Sequence, residues 1–238
     1  IFFMKKMILA STSTIHGEEF LEYLLKEIKN LFVGCKNILF IPFARPSGLS
    51  HIDYTKKVQD QFKKVNLSVV DYSNDNDFLQ KLEKSDGLFI GGGNTFLLLH
   101  QLNKLKLIEK IREKILSGTP YLGTSAGTNI CGISIGTTND MPIVEIESRL
   151  SLQILPFNIN PHFYEKNNDS EYMGESRETR IQEFLIYNKQ PVVGLKEGSF
   201  LKINQENIIL EGKESAIIFE RNQKPYSIIS GFNLKKLN

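Results

Sequence analysis

A segment of five residues, 123–127 with the sequence Gly-Thr-Ser-Ala-Gly, has residue types and spacing that point directly to chemistry. It follows a short apolar run and precedes a predicted helix, which is the setting of a nucleophile elbow, a sharp turn that exposes a serine. Glycines suit this turn because bulky neighbours would clash in it. Ser125 can then attack a carbonyl carbon if a base and donors for the developing oxyanion lie nearby. The pattern alone is common, so the rest of the chain must supply these partners.

A histidine is the usual base for a serine nucleophile, and the chain has four. His162 follows Pro161 in a loop-like segment downstream of the elbow, and the proline stiffens the approach to it. We therefore expect His162 to be the base. His100 lies in a leucine-rich predicted helix and is expected to be structural, whereas His16 and His51 open predicted helices near the same edge of the sheet.

The third group of such a site is a carboxylate that orients the histidine. Glu197 comes directly after the predicted strand 191–195. Ligands of open α/β sheets bind outside the carboxyl ends of the strands, so Glu197 is expected at the same edge as Ser125. Asp140 is the main competitor for this role. For either carboxylate the alternative is an ordinary turn residue.

Three glycines at 91–93 and the following Asn94 end a predicted strand and open a predicted helix. Glycines let a substrate approach the backbone, and N–H groups at a helix start can point at an anion. The segment therefore fits an oxyanion-binding loop or simply a tight strand-to-helix turn. Neither G-x-G-x-x-G nor G-K-[ST] is present, so a nucleotide-dependent oxidoreductase is the least favoured function.

Two arginines, Arg177 and Arg180, lie at the start of a predicted helix. The positive end of the helix dipole disfavours cations there, so these side chains need anionic partners. Glu175 and Glu178 are the simple candidates. The alternative is a substrate carboxylate, which an arginine can bind through two parallel hydrogen bonds.

The composition restricts the partners. Among 238 residues, 29 basic and 27 acidic residues give a net charge of +2, and the charges are interspersed. Because the charges are interspersed, we expect no nucleic-acid partner. No apolar run approaches 20 residues, so we expect no membrane partner either. Two cysteines in apolar surroundings predict no disulfide framework and a cytoplasmic location. No cluster of histidine, cysteine and carboxylate suggests a metal, and we expect no cofactor.

The element pattern predicts one α/β domain over residues 1–238. Strands and helices alternate in the first part, which implies a mostly parallel sheet flanked by helices. Short strand-like runs after residue 199 predict a C-terminal antiparallel β extension. Predicted strands are 7–11, 37–43, 67–72, 87–90, 120–122, 191–195, 200–203, 207–210, 216–220 and 226–229. Predicted helices are 16–32, 54–65, 75–84, 95–102, 107–116 and 176–188.

Several segments together resemble the signature blocks of the peptidase E group, the α-aspartyl dipeptidases of serine peptidase family S51. They occur in the family's order. The segments are 92–96, 123–127, 137–144, 159–163 and 174–177. Ser176 stands where threonine is usual in the last block, a mild change that should leave the position of Arg177 intact.

This resemblance implies a fold similar to class I glutamine amidotransferases, which is flavodoxin-like. It implies cleavage of small Asp-X dipeptides with a free N-terminal aspartate. We expect the protein to be a monomer or homodimer. The implied roles are Ser125 as nucleophile, His162 as base, Glu197 as orienting acid, the Gly92 and Ala126 amides as oxyanion donors, and Arg177, Asn94 and Asp140 as substrate-binding residues.

Two alternatives from the same fold stay open. Cyanophycinases, which cleave β-aspartyl-arginine polymer, often carry Gly-Thr-Ser-Ala-Gly at the elbow, so segment 123–127 does not separate them from dipeptidases. The blocks 137–142 and 174–177 favour the dipeptidase. The other alternative is a non-catalytic, amidotransferase-like binding protein.

Overall fold

The computed structural model describes residues 4–70, 77–165 and 174–237. Its strands are β1 Lys6–Ala10, β2 Ile38–Ile41, β3 Gly87–Ile90, β4 Tyr121–Thr124, β5 Asn158–Phe163, β6 Val192–Lys196, β7 Ser199–Asn204, β8 Asn207–Gly212, β9 Ala216–Phe219 and β10 Tyr226–Ile228. Its helices are α1 Leu25–Leu31, α2 His51–Lys63, α3 Phe78–Lys84, α4 Thr95–Lys104, α5 Ile108–Leu116, α6 Ala126–Asn129 and α7 Arg177–Tyr187, with a short 3-10 helix at Glu22–Leu24.

The main sheet has six strands in the order β2-β3-β4-β1-β7-β8. The first four are parallel, whereas β7 pairs antiparallel with β1 and β8 with β7. Alternate residues of β1 belong to cores on opposite faces. Met7 and Leu9 pack with α3, α4 and α5, while Ile8 and Ala10 pack with α1 and α2. Burial on both faces explains why residues 7–10 of β1 and the whole of β2 are continuously apolar.

A second sheet of four strands has the order β10-β9-β6-β5. Strands β5 and β6 are parallel, and β9 and β10 add to them antiparallel. The predicted antiparallel extension is therefore divided between two sheets. The chain passes from β6 in one sheet to β7 in the other through only Glu197 and Gly198, so Glu197 lies where the two sheets meet.

Most predicted elements are present, and their bounds differ by a few residues. The predicted helix 16–32 is wrong at its start, because Leu21 has a left-handed φ of 59° and α1 begins only at Leu25. The predicted strand 67–72 is reduced to one bridge between Val69 and Ile38, and its end lies outside the described residues. The start of the predicted helix 75–84 also lies outside them.

No helix among the described residues is long and apolar enough to cross a membrane. The organisation of residues 1–238 as one domain stays a prediction.

Candidate active site

The predicted elbow has the strained backbone that the sequence pattern implies. Ser125 stands between β4 and α6 with φ 53° and ψ −111°, a conformation that costs a non-glycine residue about 1–3 kcal/mol. Backbone hydrogen bonds hold it: its N–H donates to Ala10 O at 3.1 Å, and its carbonyl accepts from the N–H groups of Thr128 and Asn129, each at 2.9 Å. The elbow is thus fixed by its neighbours on both sides.

The glycines of the elbow are required by close packing. A Cβ on Gly127 would lie 2.1 Å from the carbonyl oxygen of Ile90 in β3, and one on Gly123 would lie 2.6 Å from Gly127 O. The buried hydroxyl of Tyr121 donates to this same Gly127 oxygen at 2.6 Å. The elbow therefore sits directly on the neighbouring strand, with no room for side chains.

His162 connects the serine to a carboxylate. Its Nε2 lies 2.8 Å from Ser125 Oγ, and its Nδ1 lies 2.6 Å from Glu197 Oε1. The three residues come from the elbow, from β5 and from the β6–β7 turn. Our prediction that His162 lies in a loop is wrong, because it belongs to β5, at a β-bulge where the pairing with β6 shifts.

Asp140, the competing carboxylate, has other partners. Its Oδ2 accepts from the backbone N–H of Thr95 at 2.7 Å, from Thr95 Oγ1 at 2.6 Å and from Thr138 Oγ1 at 3.1 Å. It therefore places a negative charge at the N-terminus of α4, where the helix dipole favours one. Asp140 still lines the same cavity as Ser125.

Asn94 is the N-cap of α4. Its Oδ1 accepts from the N–H of Leu97 at 3.0 Å, and its Nδ2 donates to Met141 O at 2.8 Å. Both ends of the side-chain amide are thus used within the protein. Its role in substrate binding stays a prediction, as does that of Asp140.

The two amides expected to stabilise an oxyanion differ in their partners. The Ala126 N–H begins α6 and has no acceptor among the residues that the structure describes. The Gly92 N–H donates to the buried hydroxyl of Tyr54 at 3.2 Å. Gly92 nevertheless lies against the serine, since a Cβ there would be 3.0 Å from Ser125 Cβ.

Arg177 is the first residue of α7, and Ser176 is the N-cap as predicted. The guanidinium carbon of Arg177 lies 4.3 Å from the ring centre of Tyr164. Its Nη1 is buried without a hydrogen-bond partner in the described part of the chain. Burial lowers the pKa of Arg177, an effect that Tyr164 and Glu197 oppose, and arginine remains charged at any working pH. In contrast, Arg180 pairs with Glu175 at 3.7 Å.

A cavity of about 410 Å³ lies beside Ser125, His162 and Glu197 and is also lined by Asp140 and Arg177, whereas Asn94 and Gly92 do not line it. It is lined by Thr95, Ser125, Ala126, Thr138, Asn139, Asp140, Pro161, His162, Arg177 and Glu197. The other three histidines do not line it: His100 contacts the carbonyl of Glu145, His51 packs on the ring of Phe43, and His16 is exposed. Within the described ranges, no group of three histidine, cysteine or carboxylate residues is arranged to hold a metal ion.

Sequence reasoning missed three residues that contact this site. Tyr164 stacks on Arg177, Tyr54 binds the Gly92 amide, and Ser11 accepts a hydrogen bond from the N–H of His162. Ser11 directly follows β1, so the rule that ligands bind at the carboxyl ends of strands pointed to its position. The sequence carries no comparable signal for Tyr54 or Tyr164.

A serine at a strained strand-to-helix turn, in series with a histidine and a carboxylate, is the arrangement of a serine hydrolase. Two solved structures share the fold. One is a putative peptidase E protein from Listeria monocytogenes, with a TM-score of 0.67 and 21% identity over 89% of this chain and all of that one. The other is a peptidase from an acI-B1 actinobacterium, with a TM-score of 0.73 and 18% identity over 98% of this chain and 97% of that one.

Sequence comparison defines the family. The model of peptidase family S51 matches residues 7–211. A probable alpha-aspartyl dipeptidase of Drosophila melanogaster is 39% identical over 91% of this chain and 90% of its own. Peptidase E of Streptomyces coelicolor is 37% identical over 97% and 94%, and that of Nostoc sp. 40% identical over 91% and 89%. The chain belongs to peptidase family S51, which confirms the predicted family and fold.

Proposed function

We propose that this protein is a serine dipeptidase that hydrolyses dipeptides with a free N-terminal aspartate. The observation that carries the proposal is the bridge made by His162, which lies 2.8 Å from Ser125 Oγ and 2.6 Å from Glu197 Oε1. Arg177 in the same cavity offers a binding group for the aspartyl side chain. The relatives described as peptidase E and alpha-aspartyl dipeptidase support the same activity.

The first half-reaction is acylation. Ser125 Oγ attacks the carbonyl carbon of the aspartyl residue while His162 Nε2 takes its proton. Glu197 accepts the Nδ1–H of His162, which fixes the tautomer and stabilises the imidazolium. When the tetrahedral intermediate collapses, the C–N bond breaks and His162 gives its proton to the leaving amine. An aspartyl ester on Ser125 remains.

The second half-reaction is hydrolysis of this ester. A water molecule attacks the ester carbonyl and transfers a proton to His162 Nε2. The second tetrahedral intermediate then releases aspartate, and the same proton returns to Ser125 Oγ. His162 thus acts as a base and then as an acid in each half-reaction.

Backbone amides stabilise the oxyanion in both half-reactions. The Ala126 N–H has no protein acceptor in the described part of the chain and is available for this role. The Gly92 N–H is the second donor in this proposal. Because it donates to Tyr54 Oη in the free protein, it must either give up this hydrogen bond or donate to the oxyanion and to Tyr54 Oη at the same time. Such amides act strongly because they are already oriented before the charge develops.

Arg177 provides the selectivity for aspartate. Stacking on Tyr164 fixes the plane of its guanidinium group. The buried Nη1 has no hydrogen-bond partner among the described residues, so a substrate carboxylate would satisfy a desolvated donor. A carboxylate can accept two parallel hydrogen bonds from this planar group. The side-chain amide of asparagine is uncharged and would therefore bind more weakly.

A panel of peptides tests the substrate assignment. We expect hydrolysis of Asp-Leu, with little hydrolysis of Asn-Leu, N-acetyl-Asp-Leu or β-linked Asp-Leu. Preferential cleavage of β-linked Asp-Arg would favour the cyanophycinase-like alternative. Absence of hydrolysis together with absence of labelling by a fluorophosphonate would favour the non-catalytic binding protein.

The cellular setting also belongs to the proposal. We propose a cytoplasmic location because the two cysteines are free. The nearly balanced charge of +2 gives no reason to expect a nucleic-acid partner. The protein in this proposal is a monomer or homodimer that acts on small peptides without a membrane or cofactor.

A further inference from the structure

The backbone of His162 is unusual for a strand. Pro161 of β5 pairs with Leu195 of β6, and Phe163 pairs with Lys196, so His162 itself is left out of the register. Its φ is 54°, in the left-handed region that non-glycine residues rarely adopt. A bulge of this kind re-aims a side chain, but it persists only where the surrounding structure holds it.

The hydroxyl of Ser11 stabilises this bulge through two hydrogen bonds. The N–H of His162 donates to Ser11 Oγ at 2.8 Å, and Ser11 Oγ donates to the carbonyl of Leu195 at 2.7 Å. One hydroxyl is therefore inserted between β5 and β6 at the point where their direct pairing is interrupted. The hydroxyl therefore satisfies the N–H of His162 and the carbonyl of Leu195, which do not pair with each other at the bulge.

Ser11 is itself rigidly placed. It follows β1 of the main sheet, its N–H donates to Ser199 O at 3.1 Å, and the residue is 0% exposed. Its hydroxyl reaches across to the second sheet, 151 residues away in sequence from His162 and 184 from Leu195. The contact therefore ties the sheet that carries the serine elbow to the sheet that carries the histidine.

We propose that Ser11 is a positioning residue for the His162–Glu197 pair, an inference that rests on the proposed function in treating His162 as the base. Its bond to the N–H of His162 holds the bulge that turns the imidazole toward Ser125. Its bond to Leu195 holds the end of β6, two residues before Glu197. Ser11 contacts no substrate atom and acts only through the residues that it orients.

The test compares Ser11→Ala with Ser151→Ala. Ser151 is a matched control because its buried hydroxyl also donates to a distant backbone carbonyl, Gly132 O at 2.8 Å, without contacting the triad residues. Both variants should lose similar thermal stability. With Asp-Leu as substrate, Ser11→Ala should lower kcat about 10–100-fold with KM changed less than about twofold, because misplacement of a reacting group acts on the chemical step.

A second measurement needs no substrate. The downfield proton NMR signal of the His162 Nδ1–H, assigned by its loss in His162→Gln, reports the short contact with Glu197. We expect this signal to shift or vanish in Ser11→Ala and to persist in Ser151→Ala. Because it does not depend on turnover, it tests the positioning role even if the protein hydrolyses some other bond.

Ser11→Cys is the second variant, for the case in which Ser11→Ala does not fold. Its side chain is close in size to serine, but sulfur is only a weak hydrogen-bond partner. Its kcat should therefore lie between that of the wild type and that of Ser11→Ala. The proposal is overturned if folded Ser11→Ala, or folded Ser11→Cys where the alanine variant fails to fold, keeps both the wild-type kcat and the wild-type signal. Equal losses in Ser151→Ala would also overturn it. An inactive wild type would instead count against the proposed dipeptidase.

Discussion

Glu197 Oε1 lies 2.6 Å from His162 Nδ1, on the side of the imidazole opposite to Ser125. Asp140 lines the same cavity, but its Oδ2 accepts hydrogen bonds from Thr95 and Thr138 instead. The two carboxylates therefore have different surroundings, and we propose that Glu197 is the group that orients the histidine.

Exchange of each carboxylate for its amide should separate these roles. Glu197→Gln should lower kcat by roughly 10³–10⁴-fold, as loss of the third triad member does in other serine peptidases. Asp140→Asn should cost about 0.3–1 kcal/mol of stability, because α4 loses a charge at its N-terminus, and should change kcat much less. Kinetics and thermal melts measure both effects. A loss of kcat in Asp140→Asn as large as that in Glu197→Gln would reverse the assignment.

Arg177 and Arg180 provide a matched pair for substrate selection, since they lie on the same helix and, of the two, Arg180 alone has a carboxylate partner among the residues that the structure describes. Arg177→Ala should reduce kcat/KM for Asp-Leu by about 10–100-fold, because a charge-assisted bond contributes about 1.5–3 kcal/mol. Arg180→Ala should leave this value nearly unchanged, as an exposed ion pair contributes little. Equal effects of the two substitutions would show that Arg177 does not bind the aspartyl carboxylate.

Gly92→Ala should affect the rate more than the fold. Gly92 does not have a positive φ, but an alanine Cβ would lie 3.0 Å from Ser125 Cβ and would displace the serine slightly. We expect kcat to fall about 10–100-fold, since small misplacements of reacting groups are costly. Gly34→Ala is the control, because φ is +85° there and an added Cβ would meet no described residue within 4 Å apart from its chain neighbours. It should lower the melting temperature and leave kcat intact.

Cys131 should be chemically silent near neutral pH. Burial raises the pKa of its thiol from 9.0 to about 12, so the reactive thiolate is absent. Iodoacetamide should therefore leave peptidase activity unchanged and should modify Cys131 only in denaturant, as mass spectrometry can show. Rapid alkylation of Cys131 in active protein would contradict its buried placement.

The same pKa shift predicts a loss of stability at high pH. The unfolded thiol loses its proton near pH 9, whereas the folded one holds it to about pH 12. This contribution to stability is full below pH 9 and declines as the pH rises toward 12. Replacing Cys131 with Ala should weaken that alkaline decline in urea titrations.

Local patterns were sufficient for much of the fold. Strands β2, β3 and β4 are buried along their whole length, and their apolar residues made them predictable from the sequence. Part of the elbow was predictable because the steric need at Gly123 is local, since a Cβ there would meet Gly127 O only four residues away. Ser176 was correctly predicted as an N-cap, and its Oγ accepts from the N–H of Thr179 at 3.0 Å. Each of these features depends on neighbours in sequence.

Distant contacts decided what the sequence did not reveal. The asparagines and proline that precede His162 predicted a loop, whereas His162 lies at a bulge of β5 and its N–H donates to Ser11, 151 residues away. The division into two sheets depends on the short crossing at Glu197, which has no local signature. The stacking of Tyr164 on Arg177 likewise joins residues from different elements. No periodicity or spacing encodes such pairs.

The hydrolysis of Asp-Leu by Ser125→Ala shows most directly whether Ser125 is the nucleophile of an aspartyl dipeptidase. The alanine variant should fold like the wild type, since the elbow is held by backbone bonds. Its kcat should fall by several orders of magnitude, about 10⁴–10⁶-fold in comparison with other serine triads. A folded Ser125→Ala protein that retains most of its Asp-Leu cleavage would show that Ser125 is not the nucleophile.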